Sequence, residues 1–289
     1  MSIIHIAILA IIQGAAELLP VSSSAHVIVS AKLLGLDPTS PEMTLLLVML
    51  HTGTMFAVIL YFWHSWRQSF FSSKEQFFHA AKGIAIATLL TGIVGLTLKT
   101  VIEKTILKTV PHAEIEMLFG NLGLISASLT GVGCLIIFAG YKSKNTEAQG
   151  SVTLGTREAA IIGIIQGLCL PFRGFSRSGA TISTGLLLGL AKMEAEVFSF
   201  ALAVVLTPPV VVREVMRLLK AHASNPNHQG IDLAPLFFPS MLGMVLSFIA
   251  GMLALKWLSS WLEKGRWSFF GYYCLGAALF VLILYKSGY

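Results

Sequence analysis

The feature that most constrains this 289-residue chain is a set of ten apolar runs, four of which are too short to cross a membrane. They lie near 2–19, 21–36, 43–63, 83–98, 119–140, 158–172, 179–192, 197–212, 234–256 and 267–285. A helix needs about 20 apolar residues to span a bilayer. The runs at 43–63, 119–140, 234–256 and 267–285 reach that length. The run at 83–98 reaches it when extended back through Ala80 and Ala81. The run at 197–212 reaches it by continuing into Val215–Leu219, with a kink expected at Pro208-Pro209. The runs at 2–19, 21–36, 158–172 and 179–192 fall short, and each pair is divided by a polar, serine-rich or glycine-rich break. Such backbone is tolerated at membrane depth only where protein covers it or water reaches it. Each pair therefore reads as a re-entrant hairpin.

Charge supports the membrane reading. Only 12% of residues are charged and 55% are apolar, with mean hydropathy +0.78. A soluble domain carries about 25% charged residues. This composition excludes a disordered chain, a coiled coil and a disulfide scaffold. The net charge of +6 comes mostly from short polar segments between apolar runs, as expected for headgroup contact and the positive-inside rule. No basic groove or aromatic-plus-basic cluster is present, so no nucleic-acid partner is expected. Cys134, Cys169 and Cys274 all sit in apolar stretches and read as packing residues. The N-terminus lacks a basic leader region, so the first segment is expected to be retained.

The two short-run regions resemble each other. The first reads Gln13-Gly14, Pro20-Val-Ser-Ser-Ser24, then Leu33-Leu-Gly-Leu36. The second reads Gln166-Gly167, Gly174-Phe-Ser-Arg-Ser178, then Leu187-Leu-Gly-Leu190, with one residue gained. Three spans follow each. A hairpin plus an odd number of spans inverts the next copy, which is the inverted-repeat plan of transporters. The expected fold is all-α: a polytopic membrane protein forming one membrane domain over 1–289. Repeat one covers about 1–140, a linker about 141–157 and repeat two about 158–289. Basic residues divide eight to ten between the two sides, which favours both termini outside.

Ionisable groups inside apolar segments are costly and are functional candidates by default. Glu17 closes the first run, with Gln13 one turn earlier on the same face. His26 follows Ser22-Ser23-Ser24, where it is placed to act as a base or a nucleophile. Serines at a break also satisfy backbone groups, so that segment alone leaves function and structure both open. In the second region, Arg173 and Arg177 flank Gly174-Phe175-Ser176, and Ser178-Gly179-Ala180-Thr181 follows. Glycines, hydroxyls and arginines in this order suit a phosphate. The set points to phosphoryl hydrolysis on a lipid, by serine or by water, with a divalent cation as a candidate partner. One carboxylate plus substrate phosphates is enough to hold Mg²⁺ or Ca²⁺. The competing reading is a transporter or flippase for an anionic lipid or solute, which would move its ligand uncleaved. A non-catalytic scaffold leaves the buried arginines and glutamate unexplained.

Gln13-Gly-Ala-Ala-Glu17 with Pro20-Val-Ser-Ser-Ser-Ala-His26 forms one motif, and Gly174-Phe-Ser-Arg-Ser-Gly-Ala-Thr181 a second. His51-Thr-Gly-Thr54, leading into Ala57-Val58 and Tyr61-Phe62, and Phe198-Ser-Phe200 are further matching stretches. At these residues the chain resembles the bacitracin-resistance family of undecaprenyl-diphosphatases. The resemblance implies a hydrolase of the bacterial inner membrane, its site facing outward. Its substrate would be undecaprenyl diphosphate, the recycled lipid carrier of peptidoglycan and cell-wall synthesis. It implies a divalent cation, Mg²⁺ or Ca²⁺, and sets Glu17 and Gln13 at the metal or the diphosphate, with Glu17 the candidate metal ligand and Gln13 an optional second one. It makes Ser23 the candidate nucleophile with His26 as its activating partner. Arg177 would bind the diphosphate, assisted by Ser176, Ser178 and Thr181; Ser22, Ser24, Arg173 and Gly174, read from the residues themselves, are further candidate substrate contacts. Gln13 stands where many members have Glu, and Arg173 where the second motif has Pro. Polyprenyl diphosphate and membrane lipids are the expected partners, and a homo-oligomer is left open.

Overall fold

The computed structural model describes residues 2–17, 19–105, 108, 115–146, 152–223, 233–264 and 267–289. Its elements are helices throughout. A hairpin of two short helices, α1 (Ile3–Glu17) and α2 (Ser23–Leu33), comes first. Three long helices follow: α3 (Pro41–Phe70), α4 (Lys74–Thr105) and α5 (Leu122–Thr146). The pattern then recurs, with short helices α6 (Thr156–Cys169) and α7 (Arg177–Leu187). The long helices α8 (Lys192–Ala223), α9 (Leu233–Lys264) and α10 (Ser268–Lys286) complete the chain. Among the described residues, extended pairing is limited to one isolated bridge, Val152 with Leu190.

Among the described residues, six helices are long and apolar enough to cross a membrane: Glu42–Phe70, Lys74–Thr105, Leu122–Ser143, Lys192–Lys220, Phe237–Leu255 and Ser268–Lys286. They are the three spans expected after each hairpin. The four short helices hold 11 to 15 residues each, below the length of a span. The protein is a multi-pass membrane protein. Helix α5 runs to Thr146 and α6 begins at Thr156, so helix occupies both ends of the expected 141–157 linker. Residues 147–151 of that linker lie outside the described residues.

Local chemistry sets the helix ends. Pro41 opens α3 at a position that needs no amide hydrogen, while the Ser40 hydroxyl accepts from the Met43 amide at 3.2 Å. Helix α6 begins where the Glu158 carboxylate accepts from the Gly155 amide at 3.0 Å. Helix α8 continues through Pro208 and Pro209, and α9 through Pro239, as single helices. Thr207 donates to the Ala203 carbonyl at 2.8 Å just before the first of these prolines. Hydroxyls of this kind and neighbouring helices make proline tolerable in a membrane helix.

Small residues let the short helices sit close to the long ones, as lipid-immersed packing requires. A Cβ on Gly14 would lie 2.5 Å from the Ala250 methyl, so α1 lies tight on α9. A Cβ on Gly167 would lie 2.7 Å from Val94 Cβ, so α6 lies equally tight on α4. The other principal packings join α3 to α8 and α9, and α5 to α10. Among the described residues, two large apolar clusters fill the interior and a small third one joins Ile102, Ile115 and Phe119. Of the large ones, one centres on Phe198, Phe200, Phe62 and Trp66, the other on Leu9, Ile28, Leu46 and Leu129. The hairpin tips meet between them, where a Cβ on Gly179 of α7 would lie 2.9 Å from the Pro20 carbonyl oxygen.

Candidate active site

Glu17, the last residue of α1, is the hub of the site. Its Oε2 accepts from Gln13 Nε2 at 2.6 Å, Ser23 Oγ at 2.6 Å and His51 Nδ1 at 2.9 Å. Its Oε1 lies 3.6 Å from Arg177 Nη2 across the gap between the tips. A carboxylate only accepts, so His51 must donate from Nδ1. Gln13 is buried, and its amide nitrogen also reaches Thr54 Oγ1 at 3.3 Å. Its carbonyl oxygen Oε1 is buried with no hydrogen-bond partner.

The two tips wall a cavity of about 300 Å³. Glu17, Ser22, Ser23, Ser24 and His51 line it from the first half of the chain. Arg173, Ser176, Arg177 and Ser178 face them from the second. Apolar residues of α3 and α8, among them Val48, Met55, Val58, Val204 and Leu206, extend the wall away from this polar pole. Arg213 and Glu214 of α8 also line it. A cavity that joins charged and apolar walls suits an amphiphile with an anionic head.

The second tip is built for cations and hydroxyls. Gly174 adopts φ 101°, a conformation that side chains rarely take, and a Cβ there would lie 2.7 Å from the Ile125 carbonyl oxygen. Ser176 caps α7 by accepting from the Gly179 amide at 3.1 Å, and its hydroxyl lies 3.4 Å from that of Ser178. Arg173 stacks its guanidinium 4.2 Å from the ring centre of Phe119, which fixes its plane at the cavity wall.

Most of the residues singled out from sequence thus converge on one cavity. Two do not. Thr181 is fully buried, with its hydroxyl 2.8 Å from the Arg177 carbonyl and 2.6 Å from Ser199 Oγ, so it ties α7 to α8. His26 lies away from Ser23. Its Nδ1 is 2.8 Å from the Ser22 carbonyl and its Nε2 is 2.8 Å from the Tyr273 hydroxyl, while Ser23 donates to Glu17. The group beside the serine is therefore the glutamate. His51, quoted in the sequence only as part of a similar stretch, is the histidine that enters the site. It was findable, because an ionisable residue inside the 43–63 run is costly on the same grounds that singled out Glu17.

Comparison with known proteins gives one answer along the whole chain. Residues 6–280 match the family described as bacitracin resistance protein BacA. The chain is 54% identical over 284 residues to undecaprenyl-diphosphatase 2 of Acinetobacter baylyi, covering 98% of each protein. It is 30% identical to an undecaprenyl-diphosphatase of Rhodopirellula baltica, again over 98% of both. It is 31% identical to one of Korarchaeum cryptofilum, over 98% of this chain and all of that one.

Proposed function

The chain belongs to the bacitracin resistance protein BacA family, and from that premise we propose that it hydrolyses undecaprenyl diphosphate to undecaprenyl phosphate and inorganic phosphate. The observation that carries the mechanism is the convergence of Ser23, His51 and Arg177 on Glu17 at one wall of the cavity. The diphosphate sits at the polar pole, and the prenyl chain follows the apolar wall. Ser23 passes its proton to Glu17 Oε2 and attacks the terminal phosphorus. The bond from phosphorus to the bridging oxygen breaks, and the lipid leaves as its monophosphate. Water then releases phosphate from the serine. Arg177 gathers the charge that develops on the phosphoryl oxygens, and the Ser176 and Ser178 hydroxyls donate beside it. His51 orients the carboxylate from the opposite side.

The donor set fits a hard divalent cation that uses the substrate as ligand. Among the described residues, no group of three or more His, Cys, Asp or Glu side chains is arranged to hold a metal. Glu17 faces the cavity and would hold the ion, with substrate phosphates supplying other oxygens, and Gln13 Oε1, buried one turn behind without a partner, would be a candidate second ligand. When bound, Mg²⁺ or Ca²⁺ there would neutralise phosphate charge. The protein belongs on this reading in the bacterial inner membrane, with the cavity opening outward. In its support, the cavity lining includes Phe119, just before α5, and Arg213 and Glu214, in the last three turns of α8. By helix connectivity, the start of α5 and the end of α8 lie on the face carrying both chain ends. The repeat plan is part of the same proposal: α1 lies on α9 as α6 lies on α4, the exchange expected of two inverted halves.

The test is phosphate release and lipid translocation measured in the same proteoliposomes. Purified protein should release inorganic phosphate from a polyprenyl diphosphate, and EDTA should stop it until Mg²⁺ or Ca²⁺ is restored. Translocation without release would select a transporter. A rate indifferent to EDTA would remove the cation.

A further inference from the structure

Ser22 has φ 66° and ψ 82°, and it is the one non-glycine residue with positive φ among those described. It precedes Ser23 at the start of α2, and its side chain makes no capping bond. Such a conformation persists only where its surroundings hold it. The residue's carbonyl accepts from the α2 amides of Ala25 and His26 at 3.1 and 3.4 Å, as a helix start requires, and from one side chain besides. The Ser22 carbonyl can only accept, so His26, 2.8 Å away, carries its proton on Nδ1. In the neutral ring Nε2 is then the acceptor, and the Tyr273 hydroxyl donates to it at 2.8 Å. The two rings stack with centroids 5.6 Å apart and planes 16° apart. The neighbouring Cys274 sets its Sγ 3.7 Å from the Pro20 carbonyl. Helix α10 thus grips the first tip from behind at both ends of its turn.

The gripped carbonyl belongs to the peptide unit whose nitrogen is that of Ser23. That unit is planar and trans, so fixing the carbonyl direction also fixes the opposed N–H and the start of Ser23. We infer that Tyr273 is a positioning residue for the reaction: through His26 and the Ser22 carbonyl it holds the left-handed turn that presents Ser23 to Glu17. It is absent from the cavity wall and acts only through this chain. The inference rests on Ser23 being the nucleophile, as proposed above. Tyr273 is 52% exposed, so Tyr273→Phe keeps the stacked ring and removes only the hydroxyl at a site that tolerates change.

Phosphate release from a polyprenyl diphosphate is compared for the unaltered protein, Tyr273→Phe, His26→Ala and the double variant. Tyr273→Phe should lower kcat about tenfold and change KM by less than about twofold, since presentation of the nucleophile is lost and binding is kept. The double variant should be no slower than His26→Ala, because both changes break one chain of contacts. An unchanged kcat, or losses that multiply in the double variant, would overturn the inference. A second measurement needs no turnover. In a Cys134→Ala, Cys169→Ala background, the thiol introduced by Ser23→Cys is alkylated by a small charged reagent. Adding Tyr273→Phe should slow that labelling by about threefold or more, because a relaxed turn withdraws position 23 from the cavity. Equal rates would overturn the inference. A labelling difference in a protein that releases no phosphate would support the positioning and reject only the reaction assigned to it.

Discussion

The first hairpin turns on a serine forced into the left-handed region, and the second turns on a glycine that adopts such a region freely. Around this difference the tips divide their labour. The second is locally self-sufficient: Gly174 supplies the turn and Ser176 caps the helix that carries Arg177. The first leaves α2 without a side-chain cap and takes its support from α3 and α10, through His51, Tyr273 and Cys274. The paired Gln-Gly dipeptides show the same split. Gly14 and Gly167 both let a short helix approach a long one, and both glutamines are buried. Gln166 merely reaches Thr91 Oγ1 at 3.1 Å, whereas Gln13 joins Glu17. On the proposed mechanism, the first tip would carry the reacting groups and the second would hold the anion.

The largest effect should come from the hub of the first tip. Glu17→Gln keeps the shape and removes the proton acceptor for Ser23, so phosphate release should fall by about 10³-fold. Arg177→Ala, its counterpart on the second tip, should cost about 10²–10³-fold in kcat/KM by removing charge stabilisation, and Arg177→Lys should recover only part. If Arg177→Ala instead proved harmless while Glu17→Gln was severe, the second tip would be a scaffold and the division of roles would fail. Next comes the backbone. Gly174→Ala must place a methyl against the Ile125 carbonyl at positive φ, and thermal unfolding in detergent should show a loss of about 2–3 kcal/mol.

Much of this division is legible in the sequence, and what is not has a physical reason. Glu17, Arg173 and Arg177 stand out because charge inside apolar runs is expensive, and the two short-run pairs announce hairpins by length alone. The direction of a side chain is not legible. His26 sits three residues after Ser23 and looks like its partner, yet its ring is drawn off by Tyr273, 247 residues away in sequence. Thr181 lies in the motif, but α8 offers it Ser199 instead of the cavity. Long-range packing decides both, and no local spacing encodes it.

The smallest effects separate the two turns most cleanly. Ser176→Ala removes the hydroxyl that accepts from the Gly179 amide, and a lost cap of this kind costs about 1 kcal/mol. Ser22 has no cap to lose. Ser22→Gly relieves a left-handed strain worth about 1 kcal/mol. It also gives the unfolded chain back about 0.4–1 kcal/mol of conformational freedom. The two terms oppose each other, so unfolding in detergent should place Ser22→Gly within about 0.5 kcal/mol of the unaltered protein. A loss as large as that of Ser176→Ala would mean that the Ser22 side chain supports the first tip after all, through its 3.3 Å contact with Ser24 Oγ. The first turn would then be self-sufficient like the second, and the grip of α10 would be dispensable.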